Sequence, residues 1–261
     1  MRYFAKIRYD GAGFCGFQAQ KTGRTVQGEL NRATEELFGC PCAITGCSRT
    51  DSGVHAEEFC LTIEPRAEDH AAVPPAALPR AILPYLPRDL SLTYAVEAPV
   101  GFHARYDAAG KEYWYRMRFG GVPDPFLAGR AWQIPCPLSS DGFLRMQVAA
   151  EHYIGTRDFT AFMCTDSAME NCVRTVRAAS VVRDGDYVIF RVEADGFLYN
   201  MVRIMVGTLY EIGKGRRTEE SIEEALAMKD RTLAGMTAPP DGLYLHRVIY
   251  PPHLQKTLFG E

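Results

Sequence analysis

The stretch KEYWYRMRFG, residues 111–120, decides the fold. Its apolar side chains alternate, with Tyr113, Tyr115, Met117 and Phe119 on one face and Trp114, Arg116 and Arg118 on the other, the pattern of a half-buried strand. As a strand it restarts an order already completed once. Upstream, alternation marks a strand at 2–9, and a helix runs between an N-cap at Thr25 and a C′ glycine at Gly39. Strands follow at 42–46 and through Phe59, Leu61 and Ile63, then a proline-interrupted helix at 75–83 and a strand at 91–97. Downstream of 111–120 come a helix over 139–153 ended by Gly155 and strands at 175–182 and 187–194, hinged at Asp184 and Gly185. A helix at 197–211, an acidic helix after Thr218 and a last strand at 243–250 complete the set.

Two successive β-α-β-β-α-β units place the chain in the α+β class. The expected architecture is two ferredoxin-like halves with antiparallel sheets flanking a central cleft, the layout of RNA-recognition modules. The boundary is expected just after Ala98 and Pro99, giving a first half over 1–101 and a second over 102–261.

The totals suit a globular protein of one or two domains: 261 residues, 47% hydrophobic and 23% charged. No apolar run approaches the roughly 18 to 20 residues of a membrane span, and MRYFAKIRYD has no signal-peptide core, so a cytoplasmic protein is expected. The eight cysteines are scattered, and Cys40, Cys42 and Cys47 lack the paired spacing of a zinc site. A net charge of −3 hides an uneven distribution. Arg2, Lys6, Arg8, Lys21 and Arg24 crowd the start, and Arg203, Lys214, Arg216 and Arg217 lie in 200–217, whereas 218–230 is acidic. Basic patches of this kind suit a nucleic-acid partner.

Three places can carry chemistry. The loop SRTDSGVHA, 48–56, offers Arg49, Asp51 and His55. Asp-Ser-Gly is a good turn, yet a loop between two strands is also where functional groups are displayed. Asp51 reads either as a turn residue or as a reactive carboxylate, Arg49 as its cation or as a phosphate or base contact, and His55 as a packing histidine ahead of a general base. The segment DGFLYNMVRIMVGTLYEIG has apolar residues all round, so Arg203 in its middle needs an acceptor, an acid or a phosphate, or a route to the surface. Asn200, three residues earlier, lies on the same side. Asp51 is a candidate acid for Arg203. Tyr113, at the start of its strand, can pack in the core or stack on an unpaired base. No G-x-x-x-x-G-K-[ST] phosphate loop, G-x-G-x-x-G dinucleotide loop, H-E-x-x-H pair or G-x-S-x-G nucleophile turn is expected, so no cofactor, neither ATP, NAD nor a metal, is expected either.

Taken together these motifs resemble the TruA-type tRNA pseudouridine synthases over nearly the whole chain. The resemblance is carried by YDGAGFCGFQ at 9–18, TVQGEL at 25–30, SRTDSGVHA at 48–56, FHARY at 102–106, KEYWYR at 111–116, GTRDFTAF at 155–162, FLYNMVRIMVGTL at 197–209 and APPDGLYL at 238–245. It implies an isomerase that converts uridine to pseudouridine at positions 38 to 40 of the tRNA anticodon arm, without a cofactor and as a homodimer. It further implies that Asp51 is the catalytic residue, that Arg203 pairs with it, that Tyr113 is the active-site tyrosine and that Arg49 engages the RNA, with Asn200 a candidate substrate contact. The rival expectations are a non-catalytic RNA-binding module using the same cleft and a nucleoside hydrolase that releases uracil.

Overall fold

Tyr3–Tyr9 form β1, and Thr25 then starts α1 (Val26–Phe38) by accepting the Gly28 amide on its side-chain oxygen. Gly39 ends that helix at φ 71, a left-handed conformation that costs glycine little. The computed structural model describes residues 1–67, 71–164 and 171–259. They gather into two units, Met1–Ala109 with Tyr244–Glu261, and Gly110–Leu243.

In the first unit α1 is followed by β2 (Cys42–Gly46) and β3 (His55–Pro65). The prolines of 74–84 break the next helix into a short α2 (Leu78–Ile82) between two 3-10 turns, and β4 (Leu90–Glu97) follows. β1 lies between β3 and β4, antiparallel to both, with Ala5 opposite Leu61 and Ala95. β2 runs antiparallel along the far part of β3, with Ile44 opposite Ile63. Rings fill the core: Phe17 stacks on Phe59 at 4.3 Å and Tyr3 meets Phe38 at 5.5 Å. Truncating such a ring costs about 3–5 kcal/mol, several times the value of a helix cap, so packing rather than capping dominates here.

The second unit opens with the strand 111–120 expected from its alternation. It is β5 (Gly110–Phe119), and Tyr113, Tyr115 and Met117 are buried along one face. A short β6 (Trp132–Ile134) pairs with it in parallel; at three residues it is too brief for periodicity to reveal. α3 (Ser140–Glu151) is capped by Ser139, and β7 (Gly155–Asp158), β8 (Val173–Asp184) and β9 (Tyr187–Ala194) follow. These give the antiparallel order β5, β9, β8, β7. α4 (Met201–Gly213) packs against α3 where Gly142 leaves room, since a Cβ there would lie 2.3 Å from the Gly213 carbonyl oxygen. The acidic helix is α5 (Ser221–Met228).

Two expectations change. The helix expected from 197 begins at Met201, because Asn200 takes φ 60, and the preceding turn leaves Tyr199 50% exposed rather than buried. The last strand, β10 (Leu243–Ile249), was expected to complete the second half, yet it pairs in parallel with β3 of the first unit, Tyr244 opposite His55 and Leu245 opposite Ala56. α6 (Pro252–Phe259) follows it and sets Phe259 against Phe4 at 5.6 Å. Within each unit the strand pairs are mostly antiparallel, as the α+β reading requires.

Thr25→Ala is expected to destabilise the protein by about 1 kcal/mol and Thr25→Ser by much less, whereas Phe59→Ala should cost about 3–5 kcal/mol. Urea unfolding followed by circular dichroism measures all three.

Candidate functional site

The loop 47–54 joins β2 to β3 and is held by backbone contacts with residues 10–17. The Phe17 amide donates to the Thr50 carbonyl at 3.1 Å, and the Gly53 amide donates to the Phe14 carbonyl at 3.2 Å. The Ser52 hydroxyl donates to the Phe14 carbonyl at 3.3 Å, and the Tyr9 and Thr50 hydroxyls lie 2.8 Å apart. Within the loop the Val54 amide donates to the Asp51 carbonyl, with Gly53 at φ 79. Asp51 therefore sits in a true turn, and that turn is locked from outside.

This closeness explains Gly11 and Gly16. A Cβ on Gly11 would lie 2.1 Å from the Val54 carbonyl oxygen, and one on Gly16 would lie 2.7 Å from that of Thr50, at φ +86. Gly11, Gly13 and Gly16 also match the G-x-G-x-x-G spacing of a dinucleotide loop, which the expectation of no such loop passed over. Gly11–Gly13 form a 3-10 turn and open no helix, so that motif's structural context is lacking. Gly11 and Gly16 serve the approach to 50–54 instead, and a Cβ on Gly13 would lie 3.3 Å from the Arg24 guanidinium.

His55 is 2% exposed. Its Nδ1 accepts the Gly11 amide at 3.0 Å and its ring stacks on Tyr244 at 4.4 Å. The same Nδ1 lies 3.2 Å from Asp10 Oδ1, and the histidine acts as a packing and orienting group. Arg24 secures the outer side of the same segment. Its guanidinium makes a two-pronged bond to Asp89 at 2.6 and 2.8 Å, bonds Glu29 at 2.8 Å and lies 4.2 Å from the Phe14 ring centre. The Arg24 contact holds the Asp89 and Glu29 carboxyls below their ordinary range.

In the second unit, Tyr113 is 7% exposed and meets Phe197 edge-on at 5.0 Å. Arg203, in the first turn of α4, donates from Nε to the Ala238 carbonyl at 2.8 Å and from a terminal nitrogen to Asn200 Oδ1 at 2.7 Å. The left-handed conformation of Asn200 presents that oxygen, a conformation asparagine tolerates because its amide bonds locally. Residues 235–242 wrap the same region. Thr208 Oγ1 accepts the Gly235 amide at 2.8 Å, the Tyr115 hydroxyl donates to the Pro239 carbonyl at 2.7 Å, and a Cβ on Gly242 would lie 2.5 Å from the Arg116 carbonyl oxygen. Burial pushes the Tyr115 hydroxyl well above its ordinary pKa, so it serves as a neutral donor.

Each unit thus prepares its own group. The first holds Asp51 on a locked turn with exposed Arg49 beside it. The second sets Tyr113 against Phe197 and joins Arg203 to Asn200. Sequence reasoning found these residues and left their supports, Gly11, Gly16, Tyr115 and Ala238, without roles; the glycine spacing was the available signal. It also passed over a cavity of about 190 Å³ in the first unit, lined by Gln18, Gln27, Arg49, His103, Arg105 and Tyr106 among others. Among the described residues no group of three or more His, Cys, Asp or Glu is placed to hold a metal ion. No helix among them is long and apolar enough to cross a membrane.

Comparison with known proteins adds the following. A model of the family described as tRNA pseudouridine synthase matches residues 149–251. The chain is 39% identical over 244 residues to tRNA pseudouridine synthase A of Thermoanaerobacter sp. strain X514, covering 94% of this chain and 97% of that one. It is 36% identical over 250 residues to the protein of the same name from Exiguobacterium sibiricum, covering 96% and 97%. A protein of that name from Halalkalibacterium halodurans is 39% identical over 239 residues, covering 91% and 88%. A solved structure of a Cbf5-Nop10-Gar1 complex aligns at TM-score 0.37 and 14% identity, over 94% of this chain and 49% of that one.

The Arg24–Asp89 tie gives an acid signature. The folded-state pKa of Asp89 is depressed, so its contribution to stability is full above the unfolded value of about 3.9 and is lost as pH falls through the lower folded value. The stability advantage of the wild type over Asp89→Asn, read from urea midpoints across a pH series, is expected to be largest near neutrality and to shrink under acid.

Proposed function

Since the chain belongs to the tRNA pseudouridine synthase family, we propose that it isomerises uridines at positions 38 to 40 of the tRNA anticodon arm, with Asp51 as the catalytic residue. The observation that carries this reading is the locked turn around Asp51, held by amide and hydroxyl bonds to Phe14 and Thr50 and built from the motif that the chain shares with the family it resembles. A carboxylate serves catalysis only when it is aimed, and a turn fixed on both sides removes the entropy of aiming it.

The reaction breaks the N1–C1′ bond of uridine, rotates the uracil while it is held, and joins C5 to C1′. N1 gains a proton and C5 loses one, so no external reagent is consumed. The target base must first leave its stack, at a cost of a few kcal/mol. Arg49, exposed beside the turn, is assigned to the RNA at the point where the base departs. Tyr113 packs on the uracil and helps remove the C5 proton. Its fixed ring, edge-on to Phe197, supports that assignment. A carboxylate can add to the sugar, add to the ring or take a sugar proton, and all three routes need Asp51 ionised. Arg203 is the arginine that the resemblance pairs with the aspartate, and keeping that charge in place is its proposed task. Asn200 orients Arg203 through the 2.7 Å bond to its guanidinium.

The proposed partner is tRNA, bound by a cytoplasmic homodimer with no cofactor. Phosphate contacts supply much of the affinity, so the tRNA affinity is expected to fall steeply as salt is raised, as filter binding would register. Asp51→Asn and Asp51→Ala are expected to abolish pseudouridine in unmodified tRNA, read as the loss of chemically induced reverse-transcription stops, while tRNA affinity stays within a few fold. Arg203→Ala should lower turnover by about two orders of magnitude, and adding it to Asp51→Asn should cost little more, since residues acting as a unit are not additive. Full activity in Arg203→Ala would remove the pairing from the mechanism.

A further inference from the structure

We propose that the cavity beside Arg49 is a second base-binding subsite, which takes an unpaired nucleobase of the RNA substrate other than the uridine that reacts. The inference rests on the tRNA reading above and adds a specificity element to it. Asp51 does not line the cavity, so the base it holds is not the one that isomerises.

Size favours a single ring. At about 190 Å³ the cavity falls below the roughly 300–1,000 Å³ of pockets that enclose whole drug-sized ligands. Its chemistry favours a base attached to a phosphate. Arg49 and Arg105 line it, and no carboxylate is among its described lining residues. Tyr106 is 77% exposed, although it is a large ring. Its centre lies 4.2 Å from that of His103 at an interplanar angle of 29° and 5.9 Å from the Arg105 guanidinium carbon, so the ring is backed by an imidazole and neighboured by a cation that suits the phosphate of a stacked base. Stacking on such a ring tolerates any base, because every base has a π-face.

The platform is preformed. His103 Nδ1 accepts the Arg105 and Tyr106 amides at 3.1 and 3.2 Å, and Asp107 Oδ2 accepts the His103 amide at 2.7 Å. Below the turn, the Tyr250 hydroxyl donates to the Ala104 carbonyl at 2.8 Å, and Arg2 donates to the Phe102 carbonyl at 2.7 Å. The facing wall is fixed by Gln27. Its Oε1 accepts from Gln18 Nε2 and from the Ala19 amide, each at 2.9 Å, and its Nε2 donates to the Ile44 carbonyl at 3.0 Å. A site with both walls set in advance spends little binding energy on ordering them.

The test uses the full-length protein and an anticodon-arm RNA carrying 2-aminopurine at one position at a time, outside the target uridines. With wild type, the fluorescence at one position is expected to be quenched on binding. Tyr106→Ala should abolish that quench and raise Kd and KM by about 5- to 100-fold, the loss lying in KM rather than kcat. Tyr106→Phe, which keeps the ring, should retain both. Arg105→Ala should lower the salt dependence of binding by about one phosphate contact. Wild-type affinity and quench in Tyr106→Ala would overturn the subsite. So would an affinity loss that tracks loss of assembly in sedimentation, which would give the surface to a second copy of the chain. Failure of the underlying reading looks different: wild type itself would form no pseudouridine in tRNA.

Discussion

The first unit depends on one close approach, that of residues 10–17 to the backbone of 50–54. Two peptide segments come so near that no side chain fits between them: a Cβ on Gly11 would lie 2.1 Å from the Val54 carbonyl oxygen. The gain is a pair of backbone bonds, at 3.1 and 3.2 Å, that fix Thr50 and Gly53 on either side of Asp51. Arg24 and Asp89 clamp the outer side of the same segment, and His55 fastens the inner side through Gly11. The turn that carries Asp51 is held because glycines let its neighbour come close.

The second unit reaches a similar result by other means. There the group to be held is a cation, and backbone or amide oxygens hold it. The Ala238 carbonyl and Asn200 Oδ1 accept from Arg203, and 235–242 is pulled into place by Thr208 and Tyr115. Gly207 makes this possible, since a Cβ there would lie 1.7 Å from the Met236 carbonyl oxygen. The planar fork of an arginine takes its direction from such fixed oxygens.

Much of this was legible in the sequence. Thr25, Gly39, Ser139 and the 184–185 hairpin mark their element ends because capping and turn chemistry are local. Asp51, Arg49, Tyr113, Asn200 and Arg203 stood out through residue type and position. What escaped was either too short or not local. β6 has three residues, too few for alternation. The left-handed turn at Asn200 depends on a bond to Arg203 that spacing does not display. The partner of β10 depends on which unit the final strand returns to, and alternation is silent about pairing. Gly11 and Gly16 were visible, but their cause, a carbonyl far along the chain in each case, was not.

The return of β10 to β3 has a bearing on how the chain is made. Gly110–Leu243 is continuous and can collapse as soon as it is synthesised. The earlier unit has to wait: Tyr244, the ring that covers His55, is separated from it by the whole of that intervening unit. The loop that bears Asp51 is thus laid down early on the ribosome and receives its last fastening late. A nascent protein would hold an unfinished turn until Leu243–Ile249 had emerged to pair with β3.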